Sequence, residues 1–226
     1  MTEFIRQVAA IAGKDLLSEL RNKEVMNAAL SFTLVVLLIF SFAFENSDVD
    51  ARQIAGGLLW IVYLFAGILI LNRSFARESA NDCIDALVTS PVSSGAIFIG
   101  KVVANSVLLL LLELVSLPIF SVFYNVHWAR SFDSLLLIFV LGTWALTAVG
   151  TVFSAVTVNN RLRELMLPLL VFPITVPALM ACVQLTGVVL TGEPIGDSIV
   201  WLKLLIAFNI IFTLLGSVLI EVVLLG

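Results

Sequence analysis

The sequence predicts an all-α membrane protein: six transmembrane helices with both termini in the cytoplasm, an amphipathic helix at the N-terminal interface, and a short cytoplasmic helix between spans two and three. Three observations carry this. First, 61% of the 226 residues are hydrophobic and only 12% are charged, against about 25% charged in soluble domains. A mean hydropathy of +1.13 means more apolar surface than a water-soluble fold of this size can hide. Second, the apolar residues gather in six runs, each long enough for a hydrocarbon core that takes roughly 17–25 helical residues to cross. Third, lysine and arginine are dense in alternate loops, the signature that orients a polytopic chain. No polar stretch is long enough for a separate soluble domain, so residues 1–226 form one transmembrane domain.

Segment 1–27 mixes Glu3, Asp15, Glu19 and Glu24 with Arg6, Lys14, Arg21 and Lys23. It lacks the continuous apolar core of a cleavable signal. Phe4, Val8, Ile11, Leu16 and Leu20 recur at helical spacing. They predict an amphipathic helix along the cytoplasmic headgroups, the alternative being a helix packed on a partner protein. The spans follow at 28–44, 54–71, 102–124, 135–158, 165–189 and 199–225. Their β-branched residues do not make them strands: the runs exceed the about 9–11 residues of a membrane strand and show no alternation.

Orientation comes from the basic residues. Arg6, Lys14, Arg21 and Lys23 precede the first span, Arg73, Arg77 and Lys101 belong to the loop after the second, and Arg161 and Arg163 follow the fourth. The opposite side holds Arg52, Arg130 and Lys203 beside Glu45, Asp48, Asp50, Asp133, Glu193 and Asp197. The richer side is cytoplasmic. Cys83 and Cys182 then fall on different sides of the membrane, which excludes a disulfide between them.

The longest polar stretch between spans is 72–101. Within it Cys83, Ile84, Leu87 and Val88 share one helical face, Glu78, Asp82 and Asp85 the other, and Ser90-Pro91 is a stop signal. A short amphipathic helix over about 78–89 can dock into a groove on a soluble partner or rest on headgroups, although its acidic face suits the negative inner leaflet poorly. Gly95, Gly100 and Lys101 imitate a phosphate-binding loop. However, Val102 stands where Ser or Thr would hold Mg²⁺, and a span follows directly. The chain therefore carries no ATP site of its own by this motif, and any ATPase is a separate polypeptide.

Two segments resemble a known family. Arg73-Ser74-Phe75-Ala76-Arg77-Glu78, Leu87, Ser90-Pro91 and Gly100-Lys101 resemble the first cytoplasmic loop of ABC-2-type permeases. Arg163-Glu164-Leu165-Met166-Leu167-Pro168, with Phe172-Pro173 and Val176-Pro177-Ala178-Leu179, is similar to the CcmB family, the B component of haem export in cytochrome c maturation. One departure is Asn81-Asp82-Cys83, where many members carry a glycine. The resemblance covers essentially the whole chain. It implies a bacterial inner-membrane permease subunit, acting as a homodimer with a separate CcmA-like ATPase that binds ATP-Mg. It also implies CcmC-like and CcmD-like membrane partners and a CcmE-like haem chaperone. The cargo is haem, or ATP-driven motion releases haem-loaded chaperone. Arg73, Phe75, Arg77, Glu78, Ile84, Leu87 and Pro91 become candidates for coupling to the ATPase. Arg161, Arg163 and Glu164 form a second cytoplasmic contact or a headgroup anchor.

Several residues stand out within this frame. Glu113 lies mid-span, where a charged side chain is expensive and faces protein or water. It serves as a gate or proton relay, or as a hydrogen bond to a neighbouring helix. Pro118 follows in the same span and predicts a kink there, a further hinge candidate. Pro173 and Pro177 predict a bend or interruption of span five, as a hinge or as fixed curvature, while Pro168 is tolerated if it sits in the first turn. Thr143, Thr147, Thr151 and Ala155, with Gly150 and Ser154 alongside, predict a close-packing face on span four. His127 and Trp128 pair a haem-ligand type with an aromatic, but also match ordinary interfacial residues. No nucleophile triad, His/Cys cluster or nucleic-acid surface is present in the pattern. The reading is a non-enzymatic permease. Its alternatives are an ABC-2 exporter of lipid, polysaccharide or drug, and a proton-coupled carrier using Glu113.

Overall fold

A computed structural model describes residues 2–44, 51–75, 92–124, 131–158, 160, 162–192 and 195–225. In lipid a spanning segment must satisfy its backbone internally, and the apolar runs do so as helices. Helix α1 is Thr2–Asn22, α2 Glu24–Phe44, α3 Ala51–Ser74, α4 Ser94–Tyr124, α5 Phe132–Thr157, α6 Arg163–Thr191 and α7 Ile199–Leu225, with a 3-10 turn at Ile195–Ser198 before the last. Among the described residues, helices α2 to α7 are the six long and apolar enough to cross a membrane.

The predicted spans lie within these helices, apart from Val158 at the end of α5, and the main shift is at α4. It starts at Ser94 rather than 102, so the glycines and lysine that imitate a phosphate loop are wound into a helix. The α1–α2 corner turns on Lys23, whose φ of 53° is left-handed. Glu19 secures the corner: its carbonyl accepts the Lys23 N–H at 2.7 Å, and its carboxylate accepts the Met26 N–H at 3.0 Å. A negative group thus closes the first turn of α2, where free N–H groups and the helix dipole favour it.

Part of the predicted apolar face of α1 is a protein contact. Ile11 is buried against α4, and only glycine at position 100 lets the two backbones approach. A Cβ there would meet Ile11 Cβ at 2.8 Å and the Val8 carbonyl at 3.2 Å. Val8 and Ile11 of the predicted face thus meet protein, while Phe4 and Leu20 of the same face remain exposed.

The core gathers around Trp60, Tyr63 and Phe139, whose rings meet edge to face at 5.7–6.1 Å. Trp60 Nε1 donates to Thr186 Oγ1 at 2.9 Å and ties α3 to α6. Tyr124 donates to the Leu37 carbonyl, Trp144 to Thr213, and Asn209 to the Leu141 carbonyl, which fasten α4 to α2 and α5 to α7. Phe42, Leu165, Leu169, Leu214 and Val222 are exposed on α2, α6 and α7, as befits helices in a hydrocarbon solvent.

Helix α6 runs unbroken through Pro168, Pro173 and Pro177, as α4 does through Pro118. Of the bend or interruption predicted for this span, the interruption is absent. Thr175, buried between the last two prolines, donates its hydroxyl to the Val171 carbonyl at 2.9 Å, one turn back on its own helix. Because α6 starts at Arg163, Pro168 lies beyond the first turn.

Helices α3 and α6 cross on glycine. A Cβ on Gly56 would stand 2.9 Å from the Val183 carbonyl oxygen and 3.3 Å from the Gly187 nitrogen. Both are backbone atoms, so only separation of the helices makes room. Gly56→Ala is expected to destabilise by about 1–3 kcal/mol, read as a lowered thermal midpoint in detergent. An unchanged midpoint would contradict this crossing.

Candidate functional site

A polar seam runs between α4 and α5 where hydropathy alone shows two apolar spans. Helical spacing puts Asn105, Ser106 and Glu113 of α4 against Thr143, Thr147 and Thr151 of α5, and all six are buried. Thr143 donates its hydroxyl to Glu113 Oε1 at 2.7 Å, and Thr147 lies 2.7 Å from Ser106 and donates to the Thr143 carbonyl. Asn105 Nδ2 donates to Thr151 Oγ1 at 3.2 Å and to Ser74 Oγ at 3.0 Å, and Ser154 donates to the Leu71 carbonyl. The last two bonds bring in α3. The predicted small-residue face of span four is thus the face that packs on α3 and α4. Gly150 leaves room for Leu71 there.

Glu113 is 0% exposed. It lies about 18 Å along α4 from Lys101, at about 1.5 Å per residue, well inside the span. Oε1 has its partner on α5, while Oε2 has none among the described residues. Below it Ser116 donates to the Glu113 carbonyl and pairs with the Tyr63 hydroxyl at 3.1 Å. The carboxyl therefore faces protein, as the price of exposing it to lipid requires.

At the end of the bundle that carries α1, the predicted coupling residues separate. Arg77, Glu78, Ile84, Leu87 and Pro91 lie outside the described residues, as do Cys83, Arg161, His127 and Trp128. Arg73 is half-exposed and pairs with Glu24 at 3.4 Å, a surface contact worth about 0–1 kcal/mol. Phe75, at 1% exposure, is buried with Phe98, Val102, Ala148, Val152, Ala155 and Ile220. Its ring is an apolar anchor inserted between α4, α5 and α7. Glu164 is exposed and Arg163 half-buried in the first turn of α6, which Asn160 closes by accepting the Leu162 N–H at 3.0 Å.

Two residues that sequence reasoning left without a role complete this end. Lys101 is 0% exposed. Its ammonium donates to the Ser74 carbonyl at 2.6 Å and to Asp15 Oδ2 at 3.1 Å, and sits 4.4 Å from the Phe75 ring centroid. The signal was present in the pattern: a lysine after glycine inside an apolar run that continues on both sides. Among the described residues no group of three His, Cys, Asp or Glu is placed to hold a metal ion.

Against known proteins, the CcmB protein family matches residues 6–222. The chain is 31% identical over 171 residues to Heme exporter protein B of Rhodobacter capsulatus, covering 76% of this chain and 78% of the relative. It is 33% identical over 153 residues to the protein of that name from Paracoccus denitrificans, covering 67% and 69%. With the one from Pseudomonas aeruginosa it shares 28% over 193 residues, covering 85% and 86%.

Proposed function

The chain belongs to the CcmB family, and we propose that it is the permease subunit of a haem-exporting ABC transporter of the bacterial inner membrane. The observation that carries this is the family match over nearly the whole chain, on a bundle with six apolar helices of spanning length. Relatives named Heme exporter protein B support haem as the cargo.

In this reading ATP-Mg binds a separate CcmA-like subunit, and two copies of the permease form the transmembrane part beside CcmC-like and CcmD-like partners. Arg73 and residues 76–91 lead to the ATPase, with Arg163 and Glu164 as a second contact. Closure of the ATPases moves the cytoplasmic ends of α3 and α4. The seam through Glu113 carries that motion to α5, and Pro118, Pro168, Pro173 and Pro177 set where α4 and α6 yield. The output is export of haem or release of haem-loaded CcmE-like chaperone at the periplasmic side.

Deleting the gene in its host is expected to abolish covalent haem in c-type cytochromes, with recovery from a plasmid copy. Chaperone that stays haem-loaded in the deletion strain would place the step at release rather than at supply. Normal cytochromes in a strain with no second copy would overturn the assignment.

A further inference from the structure

Lysines near the end of a membrane helix ordinarily extend to the headgroups. Lys101 does the opposite: it turns inward, wholly enclosed, and its three described contacts come from two other parts of the chain. Ser74 is the last residue of α3 and Phe75 follows it, while Asp15 lies on α1. Burying an ammonium carries a large desolvation penalty, and such groups persist only where partners satisfy them. A carbonyl in the last turn of a helix is one of the acceptors left without an intrahelical donor, so Lys101 also caps α3. Gly100 completes the device by admitting the α1 backbone at the same level.

The position of this cluster matters more than its strength. Residues 76–91 connect α3 to α4 in sequence, and Lys101 joins the end of the one helix directly to the other. Asp15 adds α1 to the same point. We propose that Lys101 is the positioning residue of energy coupling, a clamp that makes α1, the end of α3 and α4 one body. A push on the intervening loop then moves the bundle instead of splaying α3 from α4. Helix α1 is accordingly a moving part of the transmission, not a passive anchor. This rests on the ATP-driven reading above.

The test uses the complete complex with its ATPase in lipid nanodiscs. Three quantities are measured: assembled complex, ATP hydrolysis, and haem output per ATP. The double variant Lys101→Met with Asp15→Leu replaces the pair by apolar groups, a change that need not lower stability. It is expected to assemble and hydrolyse ATP while output per ATP falls about tenfold, within the usual range of coupling effects. Lys101→Arg, which keeps the charge, is expected to recover part of the output. Output per ATP within about twofold of wild type in the assembled double variant would overturn the clamp. If that variant does not assemble, spin labels at Arg6→Cys and Ser93→Cys, with Cys83 and Cys182 replaced, decide the matter. The clamp requires the same distance with and without ATP, and a shift of about one helical turn, about 5 Å, would overturn it. A wild-type complex with no ATP-dependent output would instead sink the transporter reading, and the clamp with it.

Discussion

Gly142→Leu is expected to leave no folded protein, and Gly142→Ala to lower stability by about 1–3 kcal/mol. A Cβ at this position on α5 would overlap the edge of the Trp60 ring, 2.6 Å from Cζ3, and lie 2.7 Å from Cys182 Sγ. The indole has nowhere to go. It is 0% exposed, its Nε1 is held by Thr186, and its faces and edges are set against Tyr63 and Phe139. Because α3, α5 and α6 all meet at this ring, the added atoms act on three helices together. Thermal unfolding of the purified protein in detergent measures the loss. Trp60→Phe in the Gly142→Ala background is expected to restore part of it, since the second ring is what the new methyl strikes. The Thr186 hydroxyl released by that change can turn to a carbonyl of its own helix. A wild-type midpoint for Gly142→Ala would mean that Trp60 does not fill this site.

The second large effect is at Glu113. Glu113→Lys is expected to remove assembled protein, because an ammonium would replace a hydrogen-bond acceptor in an enclosed mid-span site. Insertion scales put such a charge at about 2.5–3.5 kcal/mol or more. Glu113→Gln should be nearly silent, since its amide oxygen still accepts from Thr143. Glu113→Leu loses that inter-helix bond, worth about 0.6–1.7 kcal/mol in membrane helices, and should lower the midpoint modestly. The informative comparison is Gln against wild type in ATP-driven haem output. Equal output makes Glu113 a fastening between α4 and α5. If output collapsed with the folded amount unchanged, the carboxyl would be handling a proton, and a proton-coupled carrier would become the better reading.

Much of the site was legible in particular residues and not in their surroundings. Glu113 was marked by being a carboxylate amid leucines, and a hydrogen bond to a neighbouring helix was one of its two readings. Its partner, Thr143, lies on a face that spacing had already picked out. Phe75 shows the opposite case. It stands in a polar stretch that matches a coupling loop, yet its ring is buried by residues from α4, α5 and α7. Lys101 was counted as the cation at the end of the loop 72–101, but the helix begins at Ser94 and carries it inward. The prolines of α6 carried a local expectation of a bend or an interruption, and the helix runs through all three without interruption.

The division has one physical cause. Number, length and approximate limits of the spans could be read directly, because each helix in lipid satisfies its own backbone whatever its neighbours do. Which faces meet could not. Lipid and protein interior are equally apolar, so hydropathy does not separate the buried Val171 of α6 from its exposed Leu169. That choice rests on fitting shapes and hydrogen bonds between residues far apart in the chain: Gly142 to Trp60, Thr143 to Glu113, Asp15 to Lys101. Only the packed bundle brings those pairs together.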